Sequence, residues 1–445
     1  MRHKLKASFL IITVLLIALS TFAINPINAS ADSIEVDAEA AILVDAETGE
    51  ILYAKNIDEM KEIASMTKMM TEYLVLEAIN NGDINWDTTT QISDYPYSIS
   101  ADASFSGIGL IQDKDYTVKQ LYEAMAINSD NATTIALAEL IAGSESEFVK
   151  MMNDKAEELG LPAYDFVNST GLNNQDLGDN FPDGTDPNAE TAMSAKSTAM
   201  LAYHLIKDYP EVLEYSSQLT SELDDQTYEN WNWMLPWDND NFAQYYFEGV
   251  DGLKTGFTEN AGNCFTGTAI RDGRRLISVV MDADSRDERF HQTKKLLEYG
   301  YSQFERQELY PAGYQIEGES VIPVAKGKEE VVEIASKDVL SSTVKNGEQE
   351  SYSVTYNFDE GKLNDDGQLT APIEKGEKVG TMELTYNGEV NHGSILSEGQ
   401  AQSVDIITTS AIEKQNWFML TLGGIGDFFS NIFSSIADTV KGWFS

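Results

Sequence analysis

The sequence predicts an α+β domain, followed by a small β-sandwich and a C-terminal amphipathic helix. Strand-like apolar runs near residues 41–54 and 253–281 flank a region whose apolar residues recur with helical spacing. From about residue 310 to 407 the runs are short and are separated by Gly and Asp turns, which is typical of a β-sandwich. Since strands lie at both ends of the first domain, we expect them to share one antiparallel sheet.

The N-terminus has the three-part layout of a secretory signal peptide. Basic residues between Arg2 and Lys6 precede an apolar stretch over 9–23, and Ala29-Ser30-Ala31 precedes an acidic segment. This layout predicts export and cleavage after Ala31, and the small-x-small site disfavours the alternative, an uncleaved anchor. The predicted boundaries are a leader over 1–31, a first domain over 32–306, a β-rich domain over 307–409 and an amphipathic segment over 410–445.

The first domain opens on a predicted hairpin and a predicted helix. Residues 41–44 and 51–54 are strand-like runs on either side of a turn. Residues 66–79 then carry apolar side chains with helical period. The run Asn80-Asn81-Gly82-Asp83 is typical of a helix end.

Further elements follow a polar, irregular stretch. Thr117 caps one predicted helix, a second begins near Ala132, and Ser144 with Glu147 gives a capping box for a third. The remaining predicted elements are a loop over 168–190, a helix over about 194–208, strands over 253–258, 264–271 and 275–281, and a closing helix over about 288–304.

The acidic composition limits the classes of partner. The chain has 73 Asp and Glu against 30 Lys and Arg, a formal net charge of -43. Nucleic-acid binding is disfavoured, because a phosphate backbone would be repelled. This excess of acidic over basic residues is typical either of a surface adapted to high ionic strength or of an ordinary acidic secreted protein, and both alternatives stay open.

The cysteine and histidine content gives no signal for a cofactor. Cys264 is the single cysteine, so an intramolecular disulfide is impossible, and its place in a strand-like run indicates a small buried residue. No His-Glu-x-x-His occurs, and no histidine-based zinc site or other cofactor is expected. The histidines, none with ligand spacing, are His3, His204, His291 and His392.

Ser65 and Lys68 are a candidate catalytic pair. Both are expected in the first turn of the helix that includes residues 66–79, where residues three apart share a face. A helix N-terminus also favours negative charge on the serine oxygen, so the pair has the geometry of an amine-activated nucleophile. The alternative is an N-cap serine beside a solvated lysine.

Two more motifs follow in chain order, Ser129-Asp130-Asn131 in a turn and Lys254-Thr255-Gly256 on a strand. With Ser65-x-x-Lys68 they match the signature of penicillin-binding proteins and β-lactamases. The chain resembles the low-molecular-mass penicillin-binding proteins of the D-alanyl-D-alanine carboxypeptidase type. Stretches 64–71, 166–172 and 250–256 support the resemblance, and that family also has a β-rich second domain and a C-terminal amphipathic anchor.

If the chain cleaves a terminal peptide bond through a covalent intermediate, each motif can be given a role in that reaction. Ser65 is the expected nucleophile, and Lys68 is the base if burial and the ammonium of Lys254 keep it neutral. Ser129 can pass a proton to the departing D-alanine. The Asn131 amide can orient Lys68 and the substrate.

Other residues are expected to bind the substrate. Lys254, Thr255 and Gly256 lie on the strand that would face the terminal carboxylate. The resemblance implies an oxyanion hole made by the backbone N–H groups of Ser65 and Phe257, and a carboxylate contact from Arg289, with Arg286 one helical turn away as the alternative. Phe257 stands where related sequences often have His or Tyr, and Asp130 is interpreted as a turn former.

The resemblance implies a serine-type D-Ala-D-Ala carboxypeptidase that shortens peptidoglycan pentapeptide stems through a Ser65 acyl-enzyme and binds β-lactams. One alternative is a β-lactamase, but residues 160–192 lack a Glu-x-x-Leu-Asn pattern. The other is a catalytically inactive wall-binding protein, which the three intact motifs disfavour.

The C-terminal segment has the pattern of an interfacial membrane helix. From Gly426 onwards, aromatic and aliphatic residues recur with helical spacing opposite a polar side. Asp427 and Asn431 disfavour a spanning helix. Lys441 is its only basic residue, too little for attraction to anionic lipid, and packing on its own domain is the alternative. The expected location is the outer face of the cytoplasmic membrane and the cell wall.

The acidic surface predicts that added salt stabilises the fold. Screening reduces repulsion between like charges, so the thermal unfolding midpoint should rise as potassium chloride is added. The measurement is a melting curve at several salt concentrations. A flat response would contradict adaptation to high ionic strength.

Overall fold

The computed structural model describes residues 34–388, 392–396 and 402–415. The predicted leader and the predicted amphipathic helix lie outside these residues. Within the described ranges, no helix has the length and apolar character needed to cross a bilayer.

The first domain is built on a five-stranded antiparallel sheet. Its strand order is β10-β11-β12-β1-β2, so the first and last strands of the domain share one sheet, as the sequence predicts. Ala41 of β1 lies opposite Val280 of β12, which fixes the register of this closing pair. The strands are β1 (Ala40–Asp45), β2 (Ile51–Lys55), β10 (Val250–Thr258), β11 (Gly262–Arg271) and β12 (Arg274–Ala283).

Eight α-helices accompany this sheet in the described part of the chain. Thr117 forms the full capping box of the third helix with Gln120, and Ser144, Ser194 and Ser285 accept the N-cap hydrogen bonds of later helices. The helices are α1 (Lys68–Asn81), α2 (Asp94–Ser100), α3 (Val118–Asn128), α4 (Asn131–Ala142), α5 (Glu145–Glu158), α6 (Ala195–Asp208), α7 (Val212–Ser216) and α8 (Arg286–Gln303).

The start of α1 differs from the sequence prediction. Ser65 lies in a separate 3-10 helix, Ala64–Thr67, and α1 begins at Lys68 itself. The tight turn follows from Ala64, which has a φ of 47°, and from the Thr67 hydroxyl, which donates to the Ala64 carbonyl at 2.7 Å. At the other end Gly82 adopts a left-handed conformation and closes the helix, as predicted.

Helix α1 lies inside the domain. Ten of its fourteen residues are buried, and they include Lys68 and Glu72 as well as the apolar run from Tyr73 to Leu76. It packs against α4 and α6, and the strands of the sheet contribute Ile42, Val44 and Val279 to the same core. A helix buried on this scale holds its N-terminal end in one position.

Several short elements have no counterpart in the sequence prediction. They are two to seven residues long, too short to show a period, and the sequence analysis assigned no helix or strand to them. These elements are the helices α2 and α7 and the strands β3 (Met60–Glu62), β4 (Thr89–Gln91), β5 (Asp115–Thr117), β6 (Tyr164–Asp165), β7 (Ala192–Ser194), β8 (Thr220–Leu223) and β9 (Gln226–Glu229).

The chain after α8 is β-rich. A six-stranded sheet of order β17-β19-β20-β15-β14-β18 encloses apolar residues such as Val332, Val379 and Ile406, while β13 pairs with β16. The strands are β13 (Phe304–Tyr310), β14 (Val321–Ala325), β15 (Val331–Ser336), β16 (Leu340–Lys345), β17 (Tyr352–Phe358), β18 (Leu369–Thr370), β19 (Lys378–Tyr386) and β20 (Ser403–Thr408).

Carboxylates of the β1–β2 hairpin bind strand β16. The Thr343 hydroxyl donates to Asp45 at 2.8 Å, and the Ser342 hydroxyl donates to Glu50 at 3.2 Å. Burial raises the pKa of Glu50 to about 7. The edge of the first domain is therefore joined to the β-rich region by buried polar contacts as well as by the chain itself.

Candidate active site

The amine of Lys68 is the centre of the site. Lys68 Nζ donates to Ser65 Oγ at 3.0 Å, to Asn131 Oδ1 at 2.8 Å and to the Thr170 carbonyl at 2.8 Å. The three contacts fill the hydrogen-bonding capacity of the amine in either form: an ammonium group donates all three, whereas a neutral amine donates to Asn131 and Thr170 and accepts from the Ser65 hydroxyl. Lys68 is fully buried, so its position is fixed by these contacts.

The surroundings of Lys68 favour its neutral form. Burial lowers the pKa of Lys68 well below its ordinary value, and the ammonium of Lys254 lowers it further. Asp130, Glu72 and Glu145 oppose this shift with smaller effects. An amine that has lost its proton can accept one from the Ser65 hydroxyl, and its present bond to Ser65 Oγ joins the two atoms concerned.

The Ser129-Asp130-Asn131 turn is held by its middle residue. Asp130 caps α4, where its carboxylate accepts from the backbone N–H groups of Thr133 and Ile108. Ser129 ends α3 with a φ of 63°, and the Asn131 amide donates to the Ser106 carbonyl at 2.9 Å. Asp130 therefore shapes the turn, while Ser129 and Asn131 contact the lysines.

Strand β10 brings the third motif to the same place. Lys254 Nζ donates to Ser129 Oγ at 2.8 Å and to the Thr255 carbonyl at 3.2 Å. Burial lowers the pKa of Lys254. A Cβ on Gly256 would lie 2.5 Å from the Ile63 carbonyl oxygen, so glycine lets the strand pass directly beside the turn that carries Ser65.

The two candidate arginines have different environments. Arg289 is 3% exposed and donates to the carbonyls of Gly256 and Cys264, while its Nε has no partner in the described chain. Arg286 is exposed at the mouth, between the rings of Trp231 and Phe257 at 5.7 and 5.4 Å. Both arginines line the cleft, so their positions in the sequence could not decide which of them contacts the carboxylate.

The cleft holds about 420 Å³ of empty volume. Its lining includes two residues that the sequence analysis did not select, Ser106 and Trp231. Ser106 acts through its backbone carbonyl, which any residue type could supply, so the sequence carries no signal for it. Trp231 lies in a loop, and its indole N–H donates to the Asn128 carbonyl at 3.0 Å. The lining residues are Ser65, Ser106, Ser129, Trp231, Thr255, Gly256, Phe257, Arg286 and Arg289.

Comparison with known families agrees with this arrangement of motifs. Residues 26–285 match the family model of D-alanyl-D-alanine carboxypeptidases, and residues 304–414 match the C-terminal domain of penicillin-binding protein 5. The chain belongs to the D-alanyl-D-alanine carboxypeptidase family. The predicted family and the predicted enzyme class, a serine-type carboxypeptidase, are therefore confirmed.

Curated relatives and solved structures align with most of the length of this chain. The D-alanyl-D-alanine carboxypeptidase DacF of Bacillus subtilis is 33% identical over 80% of this chain and 83% of its own. The structure of PBP3, described as a peptidoglycan synthesis regulatory factor of Streptococcus pneumoniae, is 37% identical with a TM-score of 0.71 over 85% of this chain and 100% of its own. Penicillin-binding protein 5 of Haemophilus influenzae is 27% identical with a TM-score of 0.67, over 86% and 100%. The predicted fold class is confirmed.

The β-lactamase alternative receives no support from the glutamate of the loop. Glu190 is the only glutamate within residues 160–192. Its carboxylate accepts from Thr258 at 2.8 Å, Asn260 at 2.7 Å and Asn173 at 3.1 Å. These hydrogen bonds connect the loop that carries Glu190 to the end of β10.

Gly171 is expected to be essential for the position of Ser65. It has a φ of 79°, and an added Cβ would lie 1.9 Å from the Ala64 carbonyl oxygen. Gly171→Ala should therefore cost about 2–4 kcal/mol of unfolding free energy and slow covalent labelling by penicillin. Chemical denaturation and labelling rates measure the two effects.

Gly82→Ala is the matched control. Gly82 has a φ of 81°, but open space surrounds its Cβ position. This variant should lose only about 1 kcal/mol and label at the wild-type rate. Equal labelling rates in both variants would contradict a role for close packing at Gly171.

Proposed function

We propose that this chain removes the terminal D-alanine from peptidoglycan stem peptides by covalent catalysis at Ser65. The observation that carries the proposal is the bond between the buried amine of Lys68 and Ser65 Oγ, at 3.0 Å. Neutral Lys68 takes the hydroxyl proton as Ser65 Oγ bonds to the carbonyl carbon of the penultimate D-alanine. The electron pair moves to the carbonyl oxygen, which becomes an oxyanion.

The leaving amine then needs a proton. Ser129 lies between Lys254 and the cleft, and its hydroxyl accepts from Lys254 Nζ at 2.8 Å. Ser129 can give its proton to the amine of the departing D-alanine as the peptide bond breaks, while it regains one from a lysine ammonium. Water then attacks the Ser65 ester, which releases the shortened peptide and restores the serine hydroxyl.

The cationic end of the cleft suits the terminal carboxylate of the substrate. Thr255 and Arg289 line it, and the unpartnered Nε of Arg289 is a buried donor without an acceptor in the described chain. The backbone N–H groups of Ser65 and Phe257 are the proposed oxyanion hole, because β10 passes directly beside the 3-10 turn. Arg286, further out, is the proposed auxiliary contact.

β-Lactams are expected to occupy the same cleft. The structures of penicillin-binding protein D2 of Listeria monocytogenes, described as the cefotaxime-bound and ampicillin-bound forms, are 35% and 34% identical to this chain. A β-lactam offers a strained amide and a carboxylate, which match the nucleophile and the cationic end.

Substitution of Ser65 tests the catalytic proposal. Wild-type protein should be labelled covalently by a fluorescent penicillin and should release D-alanine from a pentapeptide ending in D-Ala-D-Ala. Ser65→Ala should abolish the label and reduce release by more than about a thousandfold, because no other group forms the acyl-enzyme. Gel fluorescence and a D-alanine assay are the measurements.

Ser98→Ala is the control, since Ser98 is an exposed residue of α2 whose hydroxyl donates to the Tyr95 carbonyl at 2.7 Å. It should behave like wild type. Rapid penicillin turnover without D-alanine release would favour a β-lactamase. A folded wild type that takes no label would refute the assignment.

We further propose that the chain is exported and held at the outer face of the membrane by its C-terminal helix. The predicted domains, 32–306 and 307–409, would lie between a cleaved leader and this anchor. The support is the sequence pattern of residues 426–445, with aromatic residues opposite a polar side.

Removal of the C-terminal segment tests the anchor. The deletion should begin after Gln415, because Ile412 is buried and bridges Ile373 in the β-rich region. Deletion of residues 416–445 should move the protein from the membrane fraction to the soluble fraction, with D-alanine release unchanged. Full-length protein with Phe428→Asp and Phe433→Asp should move likewise. Retention of either variant on membranes would count against the anchor.

A further inference from the structure

We propose that Arg286 is a specificity-determining residue of this site: from the mouth of the cleft its guanidinium faces the side chain of the leaving residue and favours an acidic side chain over a basic one. The inference rests on the proposed function. It deepens that function by naming a class of leaving residue, D-amino acids with a carboxylate in the side chain, and a contact separate from the one at the terminal carboxylate.

The leaving residue has a defined place in the cleft. In the proposed reaction Ser129 protonates its amine, while Thr255 and Arg289 hold its terminal carboxylate. All three of these residues line the cleft. The leaving residue therefore lies between Ser129 on one side and the carboxylate contacts on the other, and its side chain faces whatever borders that place.

Two aromatic side chains border the place of the leaving residue. On the side of Ser129, the Trp231 indole N–H donates at 3.0 Å to the carbonyl of Asn128, the residue that directly precedes Ser129. On the side of strand β10, Phe257 is 48% exposed and directly follows Gly256. Both rings line the cleft.

Arg286 lies between these two rings. Its guanidinium carbon is 5.7 Å from the centroid of the Trp231 ring and 5.4 Å from that of Phe257. It precedes Arg289 by three residues in α8, so the two arginines lie on the same side of that helix. Aromatic rings attract the face of a guanidinium, which leaves the N–H donors at its edge free.

The charge of Arg286 is available to a ligand. Arg286 is exposed, and within the described part of the chain it makes no hydrogen bond or ion pair with another residue. Among the described residues that line the cleft there is no Asp or Glu. A guanidinium with free donors can bind a carboxylate through two hydrogen bonds, whereas it repels an ammonium group.

The net charge of the chain makes this preference distinctive. At a formal net charge of -43, the long-range field of the protein attracts basic peptides and repels acidic ones. A preference for an acidic leaving residue therefore has to come from cations close to that residue. Substitution of Arg286 isolates the contribution of one of them.

Peptides that differ only in the leaving residue test the proposal. They share one stem up to the penultimate D-Ala and end in D-Glu, D-Lys or D-Gln, which has the shape of D-Glu without its charge. The measurement is kcat/KM for release of the terminal amino acid by the full chain. Wild type should prefer D-Glu to D-Lys by about tenfold, with D-Gln between them. Added potassium chloride should reduce the preference, because Arg286 is exposed.

Substitution of Arg286 should remove this preference. Arg286→Gln should bring the ratio of D-Glu to D-Lys release to about one or below, because the guanidinium charge is lost. Arg286→Lys, which retains a positive charge, should keep most of the wild-type ratio. Labelling by a fluorescent penicillin checks that each variant has a folded site, and Arg286→Met replaces the glutamine variant if that variant takes no label.

Arg271→Gln is the matched control. Arg271 also lies over an aromatic ring, that of Phe247 at 3.7 Å. It ends strand β11, however, whereas Phe257 lies opposite Asn263 at the other end of that strand. The ratio of D-Glu to D-Lys release should equal that of wild type.

Three results would overturn the proposal. The first is equal release of D-Glu and D-Lys by wild type, and the second is a wild-type ratio in Arg286→Gln. The third is an equal loss of rate for all three peptides in that variant, which indicates a contact with the terminal carboxylate alone. Failure of the proposed function is separate, because wild type would then release no D-alanine from a peptide ending in D-Ala-D-Ala.

Discussion

The buried amine of Lys68 is the interaction on which the site depends. It joins Ser65, Asn131 and Thr170, and the latter two lie 63 and 102 residues away along the chain. A buried lysine requires every donor to find an acceptor, so all three segments must be in place together. The antiparallel sheet, the buried helix α1 and the turn capped by Asp130 can each be understood as meeting that requirement.

The same site also concentrates positive charge in a strongly acidic protein. Arg286 and Arg289 line the cleft, and Lys254 contacts Ser129 of its lining, in a chain whose formal net charge is -43. Within the described ranges, Arg286 has aromatic neighbours but no carboxylate partner. No Asp or Glu is among the described residues that line the cleft, which suits a substrate that carries a carboxylate.

The fold was largely predictable because its main elements carry local signals. Thr117, Ser144 and Gly82 mark helix ends by residue type, and the three long strands near the end of the first domain are joined by tight turns. Short strands such as β3 and β7 were missed, since three residues show no period. The 3-10 turn around Ser65 was also missed, because it depends on the backbone of Ala64 and on the loop at Gly171 that packs against it.

The sequence by itself determined the nature of this protein: the order Ser65-x-x-Lys68, Ser129-Asp130-Asn131 and Lys254-Thr255-Gly256 indicated the family, the fold class and the type of chemistry. Only the tertiary structure decided how the charges are distributed around that chemistry. Lys254 contacts Ser129 across 125 residues, and Arg289 is buried while Arg286 is exposed. Burial and distance between charged groups arise from packing of remote segments, and they leave no periodic trace in the order of residues.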